Sequence, residues 1–110
     1  MATSYKVLGQ SAPSATTDTT LYTVPSSTEA VISTIVVANR AASLATFRIA
    51  VRPDGVSIAN QHYIAYDVAI GANAMVTLTL GITLGDTDVL TVRASTADIS
   101  FSAFGSEIAA

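Results

Sequence analysis

The single histidine is the first residue to test for chemistry, because imidazole is the most frequent general base in enzymes. His62 lies in Asn60-Gln61-His62-Tyr63. No serine occupies a Gly-x-Ser-x-Gly elbow, and Gly105-Ser106-Glu107 lacks the strand, turn and helix that present such a nucleophile. We therefore interpret His62 as a hydrogen-bonding or interface residue and expect a protein that is not an enzyme.

The spacing of the acidic and glycine residues gives no support for a metal site or a phosphate site either. Asp86-Thr87-Asp88 looks like part of a calcium loop, but the glycine and the bidentate glutamate of an EF-hand are missing, so we predict a short acidic turn. Gly81-Ile82-Thr83-Leu84-Gly85 lacks the lysine and the helix of a phosphate-binding loop. The carboxylates lie mostly at predicted turns or strand ends, and nothing marks two of them as a hydrolytic pair. We predict no cofactor and no metal site.

The arginines are better candidates for binding. Arg48 and Arg52 share one face of a predicted strand, Arg40 lies in the loop before it, and Arg93 lies in a late strand. One interpretation is an ordinary solvated sheet face. The other is an interface in which Arg48 and Arg52 bind carboxylates of a neighbouring subunit, a contact that the arginine fork suits better than lysine.

The tyrosines Tyr22, Tyr63 and Tyr66 allow two similar interpretations. They fit half-buried positions of a sheet, and as a cluster beside His62 all three also fit interface anchors. Alternation along their strand places Tyr63 with Ala65 on one face and Tyr66 on the other. The candidate interface residues are Arg40, Arg48, Arg52, His62, Tyr63 and Tyr66.

The charge content limits the function classes. Only 12% of the 110 residues are charged, about half of the usual 25%, and the five basic and eight acidic residues give a net charge of −3. That balance argues against nucleic-acid binding. A surface so poor in charge predicts that part of it is covered by other protein, so we expect the isolated chain to oligomerise or to bind a lattice.

Hydrophobic periodicity predicts short strands and no helix. Val, Ile and Thr supply 35 residues, and their β-branched side chains favour strands. Alternation is clearest at Ala45–Arg52, whereas the nearly continuous apolar run at Glu29–Asn39 is typical of a strand buried on both faces. The predicted strands are Tyr5–Gln10, Thr20–Val24, Glu29–Asn39, Ala45–Arg52, Gln61–Val68, Ala74–Leu80, Asp88–Ala94 and Ile99–Glu107.

These strands predict an all-β fold, a single antiparallel β-sandwich of about eight strands that spans residues 1–110. Jelly-roll and immunoglobulin-like topologies both fit. The Ser11–Asp18 segment is a candidate extended connection or arm. The longest apolar stretch, Val31–Ala38, is far shorter than the roughly 20 residues of a membrane-spanning helix, and the first residues carry no secretory signal.

Several segments together resemble a group of small structural proteins of tailed bacteriophage virions. The resemblance covers about residues 5–108 and implies a β-sandwich that serves as a capsid decoration protein or as a tail or baseplate part, with no catalytic residues. The segments that carry it are Thr20–Pro25, with Leu-Tyr-Thr-Val-Pro; Glu29–Arg40, an apolar run ending in Asn-Arg; Thr46–Pro53, with Phe-Arg-Ile-Ala-Val; Asn60–Asp67; Thr79–Leu84; and Phe104–Ile108.

Three functions follow from this sequence as hypotheses. The first is a capsid decoration protein on the virion, whose partners are the major capsid protein and further copies of itself, with a trimer favoured. The second is a tail, neck or baseplate component. The third is a carbohydrate-binding module in which His62, Tyr63 and Tyr66 line the site.

Overall fold

The computed structural model of the chain describes residues 3–109, which form two antiparallel sheets packed against each other. Strands account for 62% and helix for 6%, which confirms the predicted all-β sandwich. Short 3-10 turns lie at Pro53–Gly55 and Asn60–His62. The strands in chain order are β1 (Thr3–Ser11), β2 (Thr19–Thr23), β3 (Thr28–Asn39), β4 (Ala45–Arg52), β5 (Tyr63–Ile70), β6 (Met75–Leu78), β7 (Ile82–Leu84), β8 (Val89–Ala94) and β9 (Ile99–Ala109).

The strand pairing identifies the topology as a jelly roll. Sheet A has the order β1-β9-β3-β6, with β7 also paired to β3, and sheet B has the order β2-β8-β4-β5. The first strand therefore pairs with the last, the second with the one before it, and successive nested pairs alternate between the sheets. This nested double Greek key is the jelly-roll arrangement, which the sequence could not separate from an immunoglobulin-like one.

The core lies between the two sheets and is built by alternation. Phe47 of β4 and Phe101 of β9 come from opposite sheets and meet edge to face, with their ring centroids 6.1 Å apart. Ile49 and Ala103 are likewise fully buried, as the alternating pattern predicts. Aromatic pairs in this geometry add about 0.5–1.5 kcal/mol beyond their buried area, so this contact joins the sheets at their centre.

Strand β3 differs from its prediction. One face is buried, but the other is only half-buried or exposed, so the expectation of burial on both faces is wrong for this chain. The reason is a bulge between Ile32 and Thr34 in the pairing with β9. Before the bulge the even-numbered residues Ala30 and Ile32 point inward, and after it the odd-numbered residues Ile35 and Val37 do. Because of this shift, the apolar run looks continuous in the sequence.

The predicted strand Ala74–Leu80 is also shorter, and a further short strand was not predicted. Met75–Leu78 and Ile82–Leu84 pair in succession with β3, one after the other along its edge. Gly81 lies between them with a φ of +62°, a conformation that glycine adopts without strain. Together the two pieces occupy the place of one jelly-roll strand.

Hydrogen bonds hold the loops at the end of the sandwich where β4 begins. The buried Asn39 amide donates to the carbonyl oxygens of Ser43, Ile70 and Gly71, and its oxygen accepts from the Ala41 amide. The segment predicted as a connection or arm, 11–18, ends β1 and leads to β2. There the Thr16 amide donates to the Ala94 carbonyl at 2.7 Å, so the segment is held against sheet B.

The edge strands β1 and β2 approach each other through their backbones. A Cβ atom built on Gly9 would lie 2.1 Å from the Leu21 carbonyl oxygen, which is far inside van der Waals contact. Because the obstructing atom belongs to the backbone, no side-chain rotation can relieve it. Glycine at this position therefore sets how closely the two sheets meet along this edge.

Beside this contact, a polar group joins the sheets. Glu107 of β9 faces inward with 14% of its side chain exposed, accepts a hydrogen bond from the Tyr22 hydroxyl of β2, and pairs with Lys6 Nζ at 2.6 Å. The hydrogen bond from Lys6, followed by that from Tyr22, holds the pKa of Glu107 below its ordinary value of 4.5. Burial, and then the bond to Glu107, raises the pKa of Tyr22.

Gly9→Ala should lower the free energy of unfolding by about 1–3 kcal/mol or more, because the added methyl group forces β1 away from β2. Gly71→Ala is the matched control, since a Cβ there meets nothing closer than Ala74 Cβ at 3.9 Å. Urea unfolding of the three chains measures the effect. Equal midpoints for Gly9→Ala and the natural chain would contradict the proposed role of this contact.

Tyr22→Phe should cost about 1.5–3 kcal/mol at neutral pH, because it removes a hydrogen bond to a charged group. Since the pKa of Glu107 is lowered on folding, its stabilising contribution is present above about pH 4.5 and is lost as the pH falls through the folded-state pKa. The deficit of Tyr22→Phe should therefore shrink in acid. Denaturant titrations at neutral and acid pH measure it, with Tyr5→Phe, a change at an exposed ring, as control.

Candidate interface on the outer face of sheet B

The outer face of sheet B carries three arginines on neighbouring strands. Arg48 and Arg52 project from β4, as alternation predicts, and Arg93 of β8 lies directly opposite Arg48 in the strand register. We call this surface, around Arg48, Arg52 and Arg93, the arginine face. Like charges placed directly opposite each other across two strands are destabilising, so this pair needs compensation from its surroundings.

Arg48 finds that compensation within the chain. Its Nε donates to Asp67 Oδ1 at 2.7 Å and its Nη2 to Asp67 Oδ2 at 3.3 Å, a two-point contact of guanidinium and carboxylate. The guanidinium carbon also stacks 4.1 Å from the Tyr66 ring centroid. The hydrogen bond from Arg48 is the main reason that the pKa of Asp67 is below its ordinary value, and the charge of Arg93 adds to it.

Tyr63 and Tyr66 belong to the same face, which corrects the predicted placement on opposite faces. Their rings meet edge to face, with centroids 4.8 Å apart. The β4–β5 register shifts twice in this stretch, and Asp67 adopts a φ of +52°. These irregularities turn Tyr63 outward opposite Ala50 while Ala65 packs against the core.

Arg93 is the arginine with the most unused bonding capacity. Within residues 3–109 its guanidinium makes no hydrogen bond, and its nearest carboxylate oxygen, Asp18 Oδ1, lies 3.7 Å from Nη1. It borders a polar cleft of about 230 Å³ lined by residues of β4, β5 and β8 and of the adjoining loops. The polar side chains around this cleft are those of Thr16, Thr46, Arg48, Asp67, Arg93 and Ser95. An acidic group that enters the cleft would meet unsatisfied donors.

Arg52 is occupied by the fold. Its Nε donates to Thr91 Oγ1 at 3.0 Å, and its Nη1 donates to the carbonyl oxygens of Val56 and Gly55 at 3.1 and 3.3 Å. These bonds hold the β4–β5 loop against the sheet. Arg52 lies on the predicted face, but most of its guanidinium is used to position that loop.

His62 and Arg40 lie outside this cluster. His62 is buried in the 3-10 turn before β5, where its Nδ1 accepts a hydrogen bond from the Ala59 amide at 2.9 Å. Arg40 lies at the end of the sandwich and donates from Nη2 to the Ala97 carbonyl at 3.0 Å. The structure thus brings together Arg48, Tyr63 and Tyr66, with Arg52 next to them, and separates His62 and Arg40.

The acidic turn of the sequence has a structural role. Asp88 accepts from the Gly85 amide and, through its other oxygen, from the Asp54 amide, both at 2.8 Å. Thr87 also donates to the Asp54 carboxylate. The turn between β7 and β8 is therefore fastened to the loop after β4. Within residues 3–109, no group of three or more potential ligands gathers around a metal position.

The chain matches no protein-family model and no curated protein. In the part of the chain that the structure describes, no helix has the length and apolar character needed to cross a membrane. The resemblance to virion proteins therefore stays a prediction.

Arg48→Gln should raise the pKa of Asp67 back toward its ordinary value of 3.8, because it removes the main donor to that carboxylate. Arg93→Gln should raise it less, since only the charge of Arg93 acts on Asp67, and Arg40→Gln should leave it unchanged. NMR titration of the Asp67 carboxyl measures all three. Equal shifts in the three variants would show that the arrangement around Asp67 is not the one described.

Proposed function

We propose that this chain is a non-enzymatic structural protein of a virion, a capsid decoration protein that binds the outer capsid lattice. The observation that carries the proposal is Arg93, which lies opposite Arg48 on this sheet face and whose guanidinium makes no hydrogen bond within residues 3–109. A lattice that presents carboxylates would accept hydrogen bonds from these unused donors. Jelly rolls recur in viral capsid proteins, which supports the proposal by analogy of fold alone.

The side-chain hydrogen bonds elsewhere in the chain fit this role. His62 and Asp88 are both engaged in holding turns. Arg52 and Asn39 fasten loops to the sheets. The chain thus has a scaffold with tightly bonded ends, on which Arg93 and the Arg48–Asp67 pair are presented at a fixed spacing. Such a scaffold suits repeated, identical contacts in an assembly.

The virion of the source phage tests the location directly. A decoration protein should be present in hundreds of copies and should give density on the outer capsid surface, and heads that lack it should unfold at a lower temperature. Quantitative mass spectrometry and a cryo-EM reconstruction measure both. Tens of copies with density on the tail axis would replace this proposal with the tail, neck or baseplate role. Absence from the virion would overturn both.

Arg93→Gln should weaken binding of the purified protein to undecorated heads by at least about tenfold, because loss of one partner of a buried charge pair typically costs 2–5 kcal/mol. Arg40→Gln, which removes an arginine at the end of the sandwich, is the matched control. Co-sedimentation with heads at several salt concentrations measures the affinity. Equal binding of both variants and the natural chain would remove the arginine face from the contact.

One observation favours carbohydrate binding as a second candidate. The cleft beside Arg93 combines guanidinium, carboxylate and hydroxyl groups. Tyr66, whose ring stacks on Arg48 of that cleft, has 56% of its surface exposed. Sugars bind to such mixtures of polar and aromatic side chains through hydroxyl hydrogen bonds and ring stacking. A glycan array with the natural chain and with Tyr66→Ala tests this alternative, and no signal above background for the natural chain would exclude it.

A further inference from the structure

The outer face of sheet A has the opposite character to the arginine face. Residues that lie opposite one another across the strands form rows on this face. From the row that contains Tyr5 to the row that contains Met75, every outward residue is uncharged. Among residues 3–109, the nearest outward charge is Glu29 at the end of the sheet. We call this surface the uncharged face. Its residues, row by row, are Tyr5, Ser106, Val31 and Thr83; Val7, Phe104 and Thr34; Gln10, Ser102, Val36 and Thr77; and Ser100, Ala38 and Met75.

Large apolar groups on the uncharged face are open to solvent in the single chain. Tyr5 is 84% exposed and Val7 50%. Next to them lies a groove of about 420 Å³ with Val31 and Phe104 in its lining. Lys6 borders the groove, but its ammonium group is paired with Glu107. The face therefore presents a projecting ring and an apolar depression side by side.

The strand edges of the molecule are protected against pairing with another chain, in contrast to this face. Strand β1 points the charge of Lys6 inward and bulges at Leu8, and β5 is distorted at Asp67. Strand β2 is short and is followed by Pro25, and the β6–β7 edge is broken at Gly81. Short, bulged, interrupted or inwardly charged edges are the usual barriers to edge-to-edge association.

We propose that the uncharged face binds the same face of a second copy of this chain, so that two sheets A stack about a two-fold axis. Four strand widths and about nine residues of strand length cover roughly 600 Å² per copy. Two such faces bury about 1,200 Å², the lower end of the range for stable protein–protein contacts. Stacked sheets pack about 10 Å apart, which leaves room for side chains such as Val7 and Phe104 to interdigitate.

The chemistry of the face selects a second copy as the occupant. A chain with a net charge of −3 repels its own copy unless the charges lie away from the contact. Here no charged side chain in the rows of this face points outward, and Lys6 at its border is paired with Glu107. In a two-fold dimer, the projecting Tyr5 of each copy faces the groove of the other, so the same contact forms twice. A trimer, the state expected from the sequence, needs two different complementary patches on each subunit, which a single flat face does not provide.

Analytical ultracentrifugation of the natural chain tests this proposal without any virion. We expect a concentration-dependent dimer in the micromolar range. Val7→Lys places a charge in both halves of the contact and should raise the dissociation constant at least about tenfold. Val56→Lys is the matched control, because Val56 is 49% exposed, almost as much as Val7, but lies in the β4–β5 loop. It should dimerise like the natural chain.

Tyr5→Lys provides a second variant that cannot fail merely by unfolding, since its ring is mostly exposed in the single chain and contributes little to the core. Circular dichroism confirms the fold of each variant. Loss of dimer in Val7→Lys and Tyr5→Lys alone supports the proposal. A monomeric or trimeric natural chain, dimers that survive both substitutions, or equal dissociation of Val56→Lys would each overturn it. None of these results bears on capsid binding by the arginine face.

Discussion

The central position of β9 is the constraint on which the rest of the structure depends. This last strand lies between β1 and β3, and its alternating residues serve both sides of sheet A. Phe101 fills the core and Glu107 bonds to sheet B, while Phe104 lies on the uncharged face. The bulges in β1 and β3 both lie beside Phe104, and a Cβ on Gly105 would come within 1.9 Å of the Val31 carbonyl oxygen. The pairing of β1 with β9 joins strands from opposite ends of the chain, and such a long-range contact costs conformational entropy.

The few charged residues are distributed unevenly between the outer faces of the two sheets. The arginines of sheet B lie among hydroxyl groups and two carboxylates, Asp18 and Asp67. The uncharged face of sheet A presents no charge outward, and the Lys6–Glu107 pair of that sheet faces inward. The charge content of 12% is an average over the whole chain, and neither sheet face has that average composition. The low charge content comes chiefly from one sheet face, and the other has an ordinary supply of ionic groups. This separation gives the two faces different binding properties although both belong to one small domain.

Local sequence patterns predicted those parts of the fold that depend only on alternation. The bounds of β4 are as predicted, and so is the outward direction of Arg48 and Arg52, because no bulge interrupts the inward run of Phe47 and Ile49. The patterns failed where an irregularity shifts the phase, as at Ser33 in β3 and around Asp67 in β5. They also could not align Arg93 with Arg48, since that pairing depends on the register of strands about forty residues apart. The cluster around Arg48 therefore became visible only with the sheet assembled.

The two proposed contacts restrict each other through the geometry of a sandwich. Sheets A and B form opposite surfaces of the domain, so a pair joined through its uncharged faces carries its two arginine faces on opposite outer sides. Only one of them can lie flat against a lattice. A paired decoration protein would therefore place two chains at each lattice contact, with the second arginine face, its cleft and Tyr66 directed toward solvent. In that arrangement lattice binding and recognition of an external acidic or sugar ligand would not compete, because separate copies would perform them.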